Sequence, residues 1–168
     1  FCFPIQDYWH FLGFRFSKSE FNTLNFRFIK KYQKKIFLPK IHFGIKDVLT
    51  KLNDFKIKQF VLSASEQNLL NKSVKHYNLN YLFDGVYGVD NLNATGKLSL
   101  GRKLMDDFDL NPKETLLIGD TQYDKDVSIG LGCRLLLVSF GHISHDRLVK
   151  ENNQVVVENV DNLYNTIL

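Results

Sequence analysis

The chain has 168 residues, 44% hydrophobic and 24% charged, which is the composition of a globular domain with a sizeable core. Its net charge of +4 comes from scattered lysines, so the focused basic patch of a nucleic-acid binder is not expected, and no apolar run approaches the roughly 18 residues of a membrane span. Cys2 and Cys133 form no CxxC pair, which fits a reducing, cytoplasmic setting and gives no support to a zinc site.

The first stretch, IQDYWHFL at 5–12, has the pattern of a helix that stops at Gly13. A second helix follows, opened by a capping box of Ser17 with Glu20, carrying Phe21, Leu24, Phe28 and Ile29 at helical spacing, and expected to end at Pro39. KKYQKK at 30–35 reads as a solvated face of that helix. Residues 1–38 differ in texture from the remainder, being rich in aromatic and basic side chains, and read as a separate helical piece.

From residue 39 the pattern alternates. A helix over 44–54 precedes an apolar strand over 58–65, then a helix over 66–78 with Ser65 as its N-cap. A short strand at 85–89, a helix at 97–108, a strand at 114–119 and a helix at 125–132 ending on Gly132 come next. The chain closes with a strand at 133–140, a short helix near 146–150, a VVV strand and a last helix. The strands are continuous apolar runs, which predicts a parallel sheet with helices on both faces.

In such sheets ligands sit beyond the carboxyl ends of the strands. The strand at 58–62 ends in Ser63, and the strand at 114–118 ends in Gly119 and Asp120, with Asp124 one turn on. Lys97 opens a helix after the turn-rich NATG. A hydroxyl, an ammonium and a carboxylate pair at one rim suit a phosphate and a hard cation: Ser63 would donate to a phosphoryl oxygen, Lys97 would neutralise its charge, and Asp120 would hold Mg²⁺, with Asp124 completing the pair. Taken singly each has a plainer reading. Ser63 could be a strand-end or capping residue, Lys97 a solvated helix-start lysine, and the two aspartates an N-cap and a first-turn acid. Convergence of all three on one rim is what favours the phosphate reading. His142 and His145 in FGHISH read as solvated loop histidines, with a supporting role near the site left open. Ser65-Glu66 lacks the glycines of a nucleophile elbow, and Lys97 lacks the strand context of a Walker lysine.

FVLSAS, then Gly96-Lys97, then LLIGDTQYD with its Gly119-Asp120-Thr121-Gln122-Tyr123-Asp124 run, resembles the second, third and fourth motifs of the haloacid dehalogenase superfamily, closest to its phosphoglycolate-phosphatase-like branch. The resemblance implies a Rossmann-like core over 39–168 and makes 1–38 part of a helical cap. It also implies a Mg²⁺-dependent phosphomonoester hydrolase in which an aspartate attacks phosphorus, acting on a small phosphate ester such as phosphoglycolate. Catalytic roles then fall on Ser63 and Lys97, phosphate binding on Ser63, Ala64 and Lys97, and the metal on Asp120 and Asp124. The family's nucleophile lies in a DxDGT-type motif ending the first strand, and no such motif occurs here; Asp7, Asp47 and Asp54 follow no apolar strand. The motif is expected upstream of Phe1, so the chain as given is expected to be inactive. A gap is expected between the strands ending in Ser63 and Asp120. A phosphomutase on the same core and a non-catalytic binding protein are the alternatives.

Overall fold

The computed structural model describes residues 5–90, 96–152 and 156–167. Cys2, the Asn93–Thr95 part of the NATG turn and the first valine of the VVV strand lie outside the described residues.

Two helices lead: α1 (Ile5–Phe11) and α2 (Lys18–Gln33). The capping box opens α2 as expected: the Glu20 amide donates to Ser17 Oγ at 3.3 Å and the Ser17 amide donates to Glu20 Oε2 at 2.8 Å. α2 stops at Gln33, six residues before Pro39, and the chain passes through turns to reach that proline. Proline bars helix at its own position and strains the residue before it, but it sets only the latest possible end. Trp9 gathers Phe14, Phe16 and Phe28 edge-on at ring distances of 5.4, 6.5 and 6.2 Å. Only Phe21 and Asn25 of α2 are buried, and Phe11, Phe14 and Phe26 are exposed. The linker to the core is held where the Tyr77 hydroxyl donates to the Pro39 carbonyl at 2.6 Å and Phe37 stacks on His76 at 4.5 Å.

The core alternates as the pattern requires: α3 (Ile45–Asp54), β1 (Phe60–Glu66), α4 (Gln67–His76), β2 (Gly85–Val89), α5 (Lys97–Asp107), β3 (Leu116–Gly119), α6 (Gln122–Leu131), β4 (Arg134–Val138), α7 (His145–Asn152), β5 (Val156–Val157) and α8 (Val160–Ile167). Two helix starts are capped differently from the sequence reading. The N-cap of α4 is Glu66, not Ser65; its carboxylate accepts from the Asn68 and Leu69 amides at 2.9 and 3.0 Å, and an anion is also favoured at a helix start. α6 begins at Gln122, not Lys125, because Thr121 and Asp124 form a second capping box.

Among the described residues every strand pair is parallel, and the strands form two separate sheets, β1-β2 and β3-β4-β5. Along β4 the side chains alternate. Leu136 and Val138 join Val48 and Leu52 of α3 and Leu163 of α8, while Leu137 joins Ile143 and Leu148 on the opposite face. Helices therefore cover both faces, the three-layer arrangement that continuous apolar strands demand. No hydrogen-bonded pairing joins β1 to β3 among the described residues. The gap expected between them is a slot with a cavity of about 500 Å³, walled by Phe60 and Leu62 on one side and by Leu117 and Ile118 on the other. Strands beside an open slot are incompletely covered, which is why β1 is only half-buried along its length and Ile118 is exposed.

Leu137 is fully buried and Ile129 is 68% exposed. Urea unfolding should show Leu137→Ala losing about 2–5 kcal/mol through lost burial and a residual cavity, against less than about 0.5 kcal/mol for Ile129→Ala.

Candidate functional site

Four apolar residues make β3, and Gly119 ends it where the chain must turn sharply into α6. A Cβ at Gly119 would collide with the Asp124 carboxylate, so the glycine lets that acid fold back over the strand end. Asp124 is then surrounded by donors. Its Oδ2 accepts from the Asp120 amide at 3.1 Å, the Thr121 amide at 3.0 Å and the Thr121 hydroxyl at 2.7 Å. Its Oδ1 takes the Lys97 ammonium at 2.5 Å, and both side chains are largely buried, 12% exposed for Lys97 and 6% for Asp124. Burial alone would push the Asp124 carboxyl up. The Lys97 charge, the Lys97 and Thr121 hydrogen bonds and the Asp120 amide outweigh it and hold the group below the ordinary carboxylate range.

Asp120 is arranged differently. Its Oδ2 accepts from the His142 amide at 2.7 Å and meets His142 Nδ1 at 2.8 Å, while Oδ1 has no protein donor among the described residues. A Cβ at Gly141 would overlap Asp120 Oδ2, so the loop after β4 approaches the carboxylate because residue 141 has no side chain. The sequence reading left His142 as a loop histidine with an open supporting role; the structure seats it on Asp120. Its only sequence signal was its position after a strand. His145 Nδ1 lies 3.8 Å from Glu158 Oε1.

Ser63 ends the regular part of β1. Pairing with β2 runs in register to Ser63 opposite Gly88, then slips to Glu66 opposite Val89, leaving Ala64 and Ser65 without a β2 partner in the ladder. Ser63 Oγ accepts the Ser65 amide at 3.1 Å across that irregularity. No hydrogen bond joins Ser63 to the Lys97–Asp124 pair among the described residues. Lys97 nevertheless connects the two sides: its helix packs on β1 and β2, it lines the slot with Leu62 and Ile118, and its ammonium lies on Asp124 beyond β3. The structure thus brings Lys97, Asp120 and Asp124 together and sets Ser63 and Ala64 at the end of the strand across the slot.

The oxygen inventory separates the two acids. Both Asp124 oxygens are committed to protein donors, whereas Asp120 presents one oxygen at a partly exposed position. No group of three or more His, Cys, Asp or Glu able to hold a metal forms among the described residues. A single carboxylate oxygen suits a cation that keeps most of its water, as Mg²⁺ does, and is too little for a fully protein-caged ion.

A parallel sheet covered by helices, with an ammonium and carboxylates at its carboxyl rim, defines a Rossmann-like α/β protein. Residues 8–138 match the model of the haloacid dehalogenase-like hydrolase family, and the chain belongs to that family. Solved structures agree on the fold. A "predicted phosphatase" from Clostridium acetobutylicum superposes with a TM-score of 0.83 at 21% identity, covering 98% of this chain and 76% of that one. A haloacid dehalogenase-like family hydrolase from Streptococcus pneumoniae gives 0.80 at 18% identity, covering 91% and 72%. A "predicted phosphoglycolate phosphatase" from Haemophilus somnus gives 0.76 at 14% identity, covering 95% and 72%. A search of curated proteins returns no match. No helix among the described residues is long and apolar enough to cross a membrane.

The lowered Asp124 group sets a pH dependence. Its folded value lies below the unfolded value of about 3.9, so its contribution to stability is complete above that pH and is lost as pH falls through the folded value. Urea midpoints measured downward from about pH 6 should show wild type well above Asp124→Asn at the start and the difference shrinking below about pH 4. A constant difference across that range would contradict the assignment. Thr121→Ala removes one carboxylate donor and the α6 cap together and should cost about 0.5–2 kcal/mol, read from the same titration.

Proposed function

We propose that this chain carries the phosphate-handling part of a Mg²⁺-dependent phosphomonoester hydrolase for a small cytoplasmic phosphate ester of the phosphoglycolate kind. The observation that carries the reading is the Lys97–Asp124 ion pair beside the open Oδ1 of Asp120, at the rim of the parallel sheet.

In this reading Asp120 is the direct ligand of the cation, and Asp124 acts on Lys97 rather than on the metal. Asp124 fixes the ammonium at the mouth of the slot, where its remaining N–H groups donate to a phosphoryl oxygen. Ser63 supplies a hydroxyl donor, with Ala64 beside it in the stretch that leaves the β2 ladder. When bound, Mg²⁺ would offset charge on the transferring phosphoryl group. The attacking aspartate comes from outside the 168 residues, at the carboxyl end of a strand between β1 and β3. The aromatic pair α1 and α2 belongs to a cap that covers the rim and selects the ester's organic part.

Calorimetric titration of the 168-residue chain with Mg²⁺ and then inorganic phosphate tests the reading. Phosphate should bind, and Mg²⁺ should strengthen it. Asp120→Asn keeps an acceptor for the His142 amide and should abolish the Mg²⁺ effect while leaving the urea midpoint within about 0.5 kcal/mol of wild type. Ser63→Ala should weaken phosphate about tenfold, the value of one lost hydrogen bond to a charged group. Hydrolysis of a generic aryl phosphate by the chain alone should be undetectable. Mg²⁺ binding unchanged by Asp120→Asn would remove the metal assignment.

A further inference from the structure

We propose that His142 is a positioning residue whose ring, by occupying one oxygen of Asp120, restricts that carboxylate to single-oxygen ligation and so sets a preference for Mg²⁺ over Ca²⁺. The inference rests on the reading of Asp120 as the cation's ligand. Ca²⁺ accepts about six to eight oxygens and readily takes both oxygens of one carboxylate. Mg²⁺ is smaller, demands octahedral geometry, keeps several waters and needs one oxygen from each acid. The number of oxygens that Asp120 can offer therefore discriminates between the two ions.

Oδ2 of Asp120 is occupied from two sides. The His142 amide donates to it at 2.7 Å, and His142 Nδ1 lies 2.8 Å from it. A carboxylate that binds a cation only accepts hydrogen bonds, so the ring nitrogen facing it carries the proton and donates. Gly141 closes a third side, since even a Cβ there would overlap Oδ2. For both Asp120 oxygens to meet one cation, a donor has to leave Oδ2, and each is a charge-assisted hydrogen bond. The amide belongs to the backbone of the loop. The ring is 66% exposed, so it is the donor that a substitution removes without disturbing the packing behind it. Asp124 offers the larger ion no substitute, because its oxygens already accept from Lys97, Thr121 and the Asp120 amide.

The test uses Mn²⁺ bound to the full chain, followed by electron paramagnetic resonance and displaced by Mg²⁺ or by Ca²⁺ at one fixed pH. The ratio of the two displacing affinities is the readout, so no turnover is needed. Wild type should favour Mg²⁺. His142→Ala should shift the ratio toward Ca²⁺ by about tenfold, the worth of the ring's hydrogen bond to a charged oxygen, with the urea midpoint at its wild-type value. His142→Asn places a side-chain amide N–H where Nδ1 stood and should restore the wild-type ratio, which a merely structural role for the imidazole does not predict. Asp120→Asn separates this inference from the reading beneath it. If that variant loses Mg²⁺ while His142→Ala leaves the ratio unchanged, the positioning role is overturned and the metal assignment stands. A shift in His142→Asn as large as in His142→Ala also overturns the positioning role. If Asp120→Asn binds Mg²⁺ as wild type does, both fall together.

Discussion

The Asp124 carboxylate is the constraint on which the rest of the molecule depends. The sheet is divided, and β1 does not bond to β3 among the described residues. What ties the halves together at the rim is α5, packed on β1 and β2, with Lys97 at its start reaching Asp124 in the α6 of the other half. Leu131 of α6 and Leu62 of β1 meet at Gly101, which lets α5 lie close to both. Breaking a buried pair leaves an uncompensated charge, a cost of several kcal/mol in general, so the pair resists loss once formed. Three further donor contacts, all local, hold the carboxylate in one rotamer. The geometry at the rim is therefore fixed by the residues that also join the halves.

Much of this was legible in the sequence because the local signals agreed with the global pattern. Continuous apolar runs gave the parallel strands, and Ser17 with Glu20 gave the start of α2. The carboxylates after an apolar strand pointed to the rim because an acid in that position needs a cation or several donors. The structure shows both for Asp124, and the donors include Thr121, which the sequence reading had not used. The helix start at Gln122 was missed for the same reason. A capping box written Thr-x-x-Asp, with aspartate in place of the usual longer acid, is a weak signal in sequence although its geometry here is complete. Glu66 was missed as a cap because serine is the commoner choice and stood one position earlier. The division of labour between Asp120 and Asp124 was out of reach. It depends on which oxygens find donors, and the donors from His142 and Lys97 lie 22 and 27 residues away along the chain.

The helical pair at the start follows a different logic from the core. Its aromatic rings pack mostly on one another around Trp9, and α2 buries only two residues. A helix with so small a buried face takes little stability from tertiary contacts and leans on its capping box and local pairs. Its link to the core is narrow, a tyrosine hydroxyl on one carbonyl and a stacked phenylalanine and histidine. The core, by contrast, has two apolar clusters on opposite faces of β4. Any cooperative unfolding unit should therefore centre on β4 and its helices, with the aromatic pair opening at lower free energy.

Asp120 serves two masters with a single pair of torsions. One oxygen anchors the backbone of residue 142, and the other has no protein donor among the described residues. Because Gly141 packs directly against the anchored oxygen, the carboxylate cannot rotate toward a newcomer without dragging the loop behind it. Occupancy of the rim would thus be felt mechanically some twenty residues further along the chain, at the entrance to α7.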